Sequence, residues 1–232
     1  MKPGNSKAIE EMFNSISSKY DFLNDIFSFG LHRFWKKRLL TLLNPVFGEK
    51  WIDLCCGTGD MSILLARYMK SSENITGIDS ASQALLVAKE RSKNNYSSIK
   101  WINADAIETN LPSNQFDGFL MAYGLRNLSS SEYGIREAFR LLKPGGRGGI
   151  LDFRSFESGS IQGLFQKIYL GLYVVPVASA FGLGQEYSYI KRSLVDFPSG
   201  PKQIDLALSA GFKRAEYLLL AKGQMGILLL EA

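Results

Sequence analysis

Four acids and one glycine turn in the first half of the chain have types and spacing suited to a cationic nucleoside. Asp53 precedes a Gly57-Thr58-Gly59 turn, Asp60 directly follows it, and Asp79 and Asp105 come later. Glycine lets a backbone pass close beneath a ligand where any Cβ would intrude. The orphan N–H groups of a helix that follows point at the same place. Asp79 lies about 20 residues beyond the glycines, where a doubly wound sheet places a carboxylate. Its two oxygens can accept both hydroxyls of a ribose. Asp105 can meet an adenine amino group while a neighbouring backbone N–H meets the ring nitrogen. A dinucleotide fingerprint wants a third glycine where this chain has Ser62. A phosphate-cradling loop wants Gly-Lys-Ser/Thr, and no lysine follows Gly59. Asp53 and Asp60 would repel a pyrophosphate but suit positive charge. S-adenosylmethionine, with its ribose, ammonium and sulfonium, satisfies all of these demands, so the stretch reads as a methyl-donor site.

The elements that position these residues follow from periodicity. The apolar run 51–54 reads as a buried strand, and Met61, Ile63, Leu64, Leu65 and Tyr68 recur at helical spacing after the turn. Strand 74–79 is followed by helix 81–93, with Ser80 or Ser82 as its N-cap. Strand 98–103 ends at the Asp105 loop, and strand 116–123 ends at Tyr123-Gly124-Leu125-Arg126-Asn127. Helix 131–142 stops at Lys143-Pro144-Gly145-Gly146, before a strand over 149–153. Helix 201–210 leads into strands 212–220 and 225–230, whose short link predicts a hairpin. The fold expected is α/β and Rossmann-like: the class I S-adenosylmethionine-dependent methyltransferase arrangement. Its seven-stranded sheet has five parallel strands and a terminal antiparallel hairpin. In such sheets the carboxyl ends of the strands carry the chemistry.

A chain of 232 residues suits a single domain, 1–232. Its 46% hydrophobic and 21% charged residues exclude a disordered chain. The net charge of +5 permits attraction to anionic lipid or nucleic acid without demanding either. Adjacent Cys55 and Cys56 cannot build a disulfide framework or, alone, a zinc site, and they suit a reducing cytoplasm. The N-terminus lacks an apolar signal core, and no apolar run reaches the length of a spanning helix.

Two regions fall outside the donor motifs. Residues 6–50 read as a helical cap, with Ile9, Met12, Phe13 and Ile16 on one face and an aromatic stretch from Tyr20 to Trp35. His32 is the only histidine, and a lone histidine is more often structural than catalytic. The basic cluster from Arg33 to Arg38 reads as a solvated helix face, although aromatics beside it suit a membrane surface. Between 155 and 200 an insertion nearly free of charge is either a packed lid or the wall of a tunnel for a lipid-like substrate. The tunnel is favoured because the cap is equally aromatic.

On these residues the chain resembles the C-methyltransferases of ubiquinone and menaquinone biosynthesis, the UbiE/MenG family. Tyr20, Asp21, Asn24, Ser28, His32 and Trp35 match its N-terminal signature, with Leu23 where Met is usual. Arg140-Leu-Leu-Lys-Pro-Gly-Gly146 and Leu151-Asp-Phe153 match the second, with Asp152 for Glu and Arg154 for Ser. Gly124-Leu-Arg-Asn127 also matches. Gln185-Glu-Tyr-Ser-Tyr-Ile190 and Phe197-Pro198 look more like the phylloquinone-pathway branch than the ubiquinone branch. The resemblance implies methyl transfer from S-adenosylmethionine to a ring carbon of a prenylated naphthoquinol, of the demethylphylloquinol or demethylmenaquinol type. It puts Thr58, Asp79, Asp105 and Ala106 on donor-binding positions, and Tyr20, Tyr123 and Asn127 are read as substrate-binding residues. Ala122 stands where the family has Ser.

Ring methylation needs a phenolate-like acceptor. Arg126 is the first candidate to stabilise it or orient a water, with pairing to Asp152 or a helix end as its equal structural alternative. His32 is the second candidate. No metal is required. A methyltransferase of soluble metabolites or RNA is the rival enzyme, although the uncharged insertion is unlike the broad basic face nucleic acid demands. A non-catalytic assembly partner would have no need of the donor acids. Expected partners are the quinol and a peripheral membrane contact from the cytoplasm, no nucleic acid, and a homodimer left open.

Overall fold

The computed structural model describes residues 11, 14, 20–156, 160–184 and 193–232. The expected Ile9–Ile16 face, the 185–190 segment and the side chains of Tyr20 and Asp21 lie outside what is described. Helices α1 (Tyr20–Ser28) and α2 (Leu31–Leu43) precede β1 (Trp51–Leu54). Then follow α3 (Asp60–Met69), β2 (Ile75–Asp79), α4 (Ser82–Ser92), β3 (Lys100–Asn103) and β4 (Phe116–Ala122). A 3-10 turn, Leu125–Asn127, leads to α5 (Ser131–Leu141) and β5 (Leu142–Phe153). The insertion holds α6 (Ile161–Tyr169), a π-helical stretch Leu170–Val174 and α7 (Val175–Ala180), and the chain closes with α8 (Gly200–Ala210), β6 (Arg214–Leu220) and β7 (Met225–Glu231).

The strands form one seven-stranded sheet in the order β3-β2-β1-β4-β5-β7-β6. Strands β1 to β5 are parallel, while β7 runs antiparallel to both β5 and β6, as the hairpin reading expects. Alternation along β1 separates two cores. Trp51 packs with Leu39, Leu40, Met61 and Leu65 of α2 and α3 on one face. Ile52 and Leu54 pack with Ile135, Ala138 and Leu141 of α5 on the other. The chain thus leaves β1 toward one face and its neighbour β4 toward the other, which opens a crevice between their carboxyl ends. Asp53 shares the face of Trp51, and so points at α2 and α3.

Three local expectations need correction. Lys143 to Gly146 does not end the sheet-free stretch. Strand β5 starts at Leu142, opposite Phe116, and resumes with Arg147 opposite Gly118, so the intervening residues form a bulge. Within that bulge the Gly145 N–H donates to the Ala232 carbonyl and the Gly146 carbonyl accepts from the Ala232 N–H, which satisfies the main chain where β4 cannot. Phe212 is not part of β6 but turns inward, 5.1 Å from the Phe139 ring and 6.3 Å from Phe119. Neither Ser80 nor Ser82 caps α4. Its N-cap is Ala81, whose N–H donates to Asp79 Oδ1 at 2.8 Å, so the acid that ends β2 also starts the helix.

Within the insertion, Ile161–Ala180 is one continuous 20-residue helix, long and apolar enough by length and composition to cross a bilayer. The run lengths in the sequence did not suggest this. Gly163, Gln166, Leu170, Val174 and Ala178 face inward, and Gln166 donates to the Arg154 carbonyl at 3.1 Å. The opposite face carries Ile161 (82% exposed), Leu164, Phe165, Ile168 and Leu172 (77% exposed). Lys167 is the one charge along the helix. A helix apolar on both faces is not an ordinary surface helix.

Candidate functional site

The donor motifs converge at the carboxyl ends of β1, β2 and β3. Cys55 and Gly57 take left-handed backbones (φ 58° and 52°), as does Gly59 (φ 79°), so the chain doubles back between β1 and α3. A Cβ on Gly59 would lie 2.6 Å from the Trp101 ring, so packing and backbone both demand glycine. A Cβ on Gly57 would meet no atom within 4 Å, because that position opens onto the crevice. The Gly57 N–H donates to Asp79 Oδ2 at 2.7 Å, which fixes the turn to the end of β2. Asn103 at the end of β3 donates to the Asp79 and Ser80 carbonyls at 2.9 and 2.8 Å. Asp105 closes its own turn by accepting from the Ile107 N–H at 3.1 Å, with Ala106 buried beside it. Burial pushes the Cys55 thiol well up, and the nearby carboxylates of Asp79, Asp105, Asp53 and Asp152 push it further. One thiol thus senses an acid from the ends of four strands.

Asp53 is buried, and its Oδ2 accepts from Ser62 Oγ at 2.7 Å. Its Oδ1 has no hydrogen-bond partner among the described residues. Burial pushes this carboxyl up to about 7, against the opposing Ser62 hydrogen bond and Lys36 charge. A buried carboxylate oxygen without a partner, at the head of a turn that opens outward, fits a cationic donor.

Asp60 behaves otherwise, which corrects the reading of it as a second acid facing the ligand. Lys36 Nζ lies 2.7 Å from Asp60 Oδ2, and Arg91 lies 3.6 Å from Oδ1. Burial alone would raise the Asp60 carboxyl, but the charge and hydrogen bond of Lys36, with Arg91, hold it below the usual carboxylate range. Arg91 also donates to the Thr58 carbonyl and hydroxyl at 3.1 and 3.0 Å. Lys36, Arg91 and Ser62 were missed by sequence reasoning. For Lys36 a signal exists: it falls in the buried stripe His32, Lys36, Leu39, Leu40, Leu43 of α2, so the basic cluster is not uniformly solvated.

The β4 side is held by Tyr123, whose φ of 63° is unusual for a bulky residue and is the kind of strain that collects at functional sites. Its carbonyl accepts from Arg126 Nη1 at 2.8 Å and from Asn127 Nδ2 at 2.9 Å. Arg126 is buried, with Nη1 2.6 Å from Asp152 Oδ1, and its backbone N–H donates to Oδ2 of the same carboxylate at 3.2 Å. Of the two roles weighed for Arg126, pairing with Asp152 is the one the structure displays. The Arg126 guanidinium also lies 5.1 Å from the Phe153 ring centroid.

His32 is buried on α2, one turn before Lys36 and on the same face. Lys36 Nζ stands 5.6 Å from the centre of the Tyr123 ring, so this helix face looks onto the β4 strand end. Burial first, then the Lys36 charge, lower the His32 pKa below 6.5, which keeps the imidazole neutral. The structure therefore brings Asp53, Gly57, Thr58, Gly59, Asp79, Asp105 and Ala106 to one edge, with Tyr123, Arg126, Asn127 and His32 on its flank.

Comparison with known proteins identifies the family and the fold. Residues 1–229 match the ubiE/COQ5 methyltransferase family. A relative from Synechococcus elongatus, named 2-phytyl-1,4-naphtoquinone methyltransferase, is 41% identical over 97% of this chain and 97% of its own. One from Arabidopsis thaliana, named 2-phytyl-1,4-beta-naphthoquinone methyltransferase, chloroplastic, is 37% identical over 93% of this chain and 84% of its own. Among solved structures, a Thermotoga maritima S-adenosylmethionine-dependent methyltransferase superposes with a TM-score of 0.67 at 17% identity, covering 95% of this chain and 98% of that one. The [4+2]-cyclase SpnF superposes at 0.63, with 17% identity over 100% of this chain and 96% of its own, so at such identities the likeness is one of fold. The match over nearly the whole length, on a fold whose acids meet at one strand edge, settles the family: the chain belongs to the ubiE/COQ5 methyltransferases and is an S-adenosylmethionine-dependent methyltransferase.

Proposed function

We propose that this enzyme methylates a ring carbon of a reduced, prenylated naphthoquinol of the demethylphylloquinol or demethylmenaquinol type. The observation that carries this reading is the 41% identity, over 97% of both chains, to a 2-phytyl-1,4-naphtoquinone methyltransferase. The geometry supports it, because a polar donor edge lies in the same chain as a helix whose outer face is mostly large apolar side chains.

In this reading Asp79 holds the ribose, Asp105 with the Ala106 backbone holds the adenine, Asp53 balances the ammonium, and Gly57, Thr58 and Gly59 line the turn. When bound, S-adenosylmethionine supplies an electrophilic methyl group on a sulfonium. His32, neutral and buried, takes the proton of the quinol hydroxyl, so the O–H electron pair enriches the ring carbon that will bear the methyl. The hydrogen that this carbon loses leaves as a proton to water. Arg126, already matched by Asp152, holds the β4 strand end and so places Tyr123 and Asn127 beside the ring, and Tyr20 is a further substrate-binding residue in this reading. Holding donor and acceptor in line supplies most of the acceleration.

Residues 1–232 act in this reading as one unit, with 6–50 as cap and 155–200 as the wall for the prenyl tail. The outer face of Ile161–Ala180 rests on the membrane surface from which the quinol is drawn. Exposed Phe29, stacked on Tyr173 at 5.6 Å, extends that face to the cap. The test is incubation with radiolabelled donor and reduced demethylated naphthoquinols carrying phytyl or polyprenyl tails in vesicles. Label in the extracted quinone is the expected result. Label only in RNA or in soluble metabolites would overturn the reading.

A further inference from the structure

The corner between α1 and α2 contains a hydrogen-bond arrangement that the donor site does not explain. Ser28 Oγ lies 2.6 Å from the Asn24 carbonyl oxygen and 2.7 Å from His32 Nδ1, and it also accepts from the His32 backbone N–H at 3.2 Å. A carbonyl oxygen can only accept, so the 2.6 Å contact places the single hydroxyl proton of Ser28 between Oγ and Asn24. With that proton spent, Oγ faces the imidazole only as an acceptor, and Nδ1 must be the ring nitrogen that carries hydrogen. The Asp25 carboxylate, 3.7 Å from Nδ1, favours the same assignment. Arg33 pairs with Asp25 and staples the corner, and the link between the helices runs through two left-handed residues, Phe29 (φ 50°) and Gly30 (φ 73°). Strain of this sort persists only where the surroundings hold it.

We propose that Ser28 is a positioning residue that fixes His32 in its Nδ1–H tautomer, so that Nε2 is the atom that accepts the acceptor's proton. The inference deepens the naphthoquinol reading and rests on it for the identity of the proton donor. The step is a plain transfer: the quinol O–H bond breaks, its electron pair stays with the quinol, and the proton makes the imidazole an imidazolium that later loses it to water. Nε2 takes no hydrogen bond within the described residues, and so keeps its lone pair for this purpose. The charged groups acting on the ring are Lys36, Asp25, Asp60 and Arg33. Lys36 and burial oppose a resting positive charge, so the lone pair is present at neutral pH.

The sole histidine makes the test unambiguous, because one pair of ring nitrogens appears in a long-range proton–nitrogen NMR spectrum of the full chain. The expected wild-type spectrum shows a protonated Nδ1 and a bare Nε2. Ser28→Ala should raise the Nε2–H population and lower kcat at least about tenfold, a part of the about 10²- to 10⁴-fold that general base catalysis supplies. Donor affinity should stay unchanged. Ser28→Thr, which keeps the hydroxyl, should restore both tautomer and kcat. If the alanine variant does not fold, Ser28→Cys serves, since a thiol is a weak donor and acceptor. A wild-type Nε2–H tautomer, or a tautomer change that leaves kcat untouched, would overturn the inference. The wild-type spectrum needs no substrate, so failure of the naphthoquinol reading shows separately, as absent turnover beside an intact Nδ1–H signal.

Discussion

At the ends of β1 and β2 the carboxylates of Asp53 and Asp79 are tied to a serine hydroxyl and to backbone N–H groups. The helix Ile161–Ala180 presents the opposite case: one face is packed and the other offers large aliphatic and aromatic side chains to solvent. The donor edge gains its specificity from preorganised hydrogen bonds, whose worth depends on geometry held to fractions of an ångström. The outer helix face gains whatever it gains from area removed from water, which is nearly indifferent to geometry. A ligand with a charged nucleoside end and a partner with a long hydrocarbon tail need these two kinds of surface in one molecule.

The comparison can be broken first at its polar side. Arg126→Ala leaves Asp152 buried without its charge partner, which should cost about 3–5 kcal/mol of stability in urea denaturation. Adding Asp152→Asn should recover much of that loss. A fall in turnover with stability intact would instead mean that Arg126 acts on the substrate. Asp79→Ala removes a carboxylate that two backbone N–H groups share, each such charge-assisted bond being worth about 1.5–3 kcal/mol. In the proposed reading the same carboxylate also accepts both ribose hydroxyls, so S-adenosylhomocysteine binding by calorimetry should weaken about 100-fold or more. A loss below about threefold would remove Asp79 from the donor site.

The two sides were not equally legible in the sequence. The succession of strands and helices, the terminal hairpin, the glycine turn and the acids at Asp79 and Asp105 follow from apolar runs, helical spacing and turn chemistry, all of them local, whereas the order of the strands in the sheet comes from the fold. Asp60 was misjudged because its meaning depends on Lys36, 24 residues away on another helix, and on Arg91, from α4. Asp53 and Asp60 look alike in sequence, yet desolvation raises one while two cations lower the other. Only the fold decides which. Arg126 was open between two roles because Asp152 meets it only when β4 and β5 pair. The bulge at Lys143–Gly146 was read as a stop because proline and glycine end helices locally, whereas its satisfaction by Ala232 comes from the far end of the chain.

That difference between the two acids gives a further test. Asp53 is half ionised near pH 7, and a cationic donor binds its ionised form. Donor affinity should therefore rise with pH through about 7, and Asp53→Asn should flatten the rise. For stability the sign is reversed, because the raised folded pKa means the folded chain holds a proton that the unfolded chain has lost above about 4. The Asp53 contribution to stability should decline as pH increases from about 4 toward 7. Lys36→Met should shift the acid limb of the pH–kcat profile upward, since the Lys36 charge lowers the His32 pKa. It should cost about 1–2 kcal/mol, toward the low end for a broken pair because Asp60 keeps Arg91 and some water.

The smallest expected change in stability lies on the apolar side. Leu172 and Phe165 are mostly exposed, so Leu172→Glu or Phe165→Glu should alter unfolding by no more than about 0.5 kcal/mol. Against a bilayer the same side chains would be buried, and each large apolar group transferred is worth about 1.5–3 kcal/mol. The double variant should therefore sediment with lipid vesicles at least about 100-fold less, while binding S-adenosylhomocysteine as before. If vesicle binding and turnover of vesicle-held quinol were both unchanged, the outer face would serve no lipid surface. If stability fell by several kcal/mol, those side chains would be packed rather than presented, and the contrast between the two sides of the enzyme would be lost.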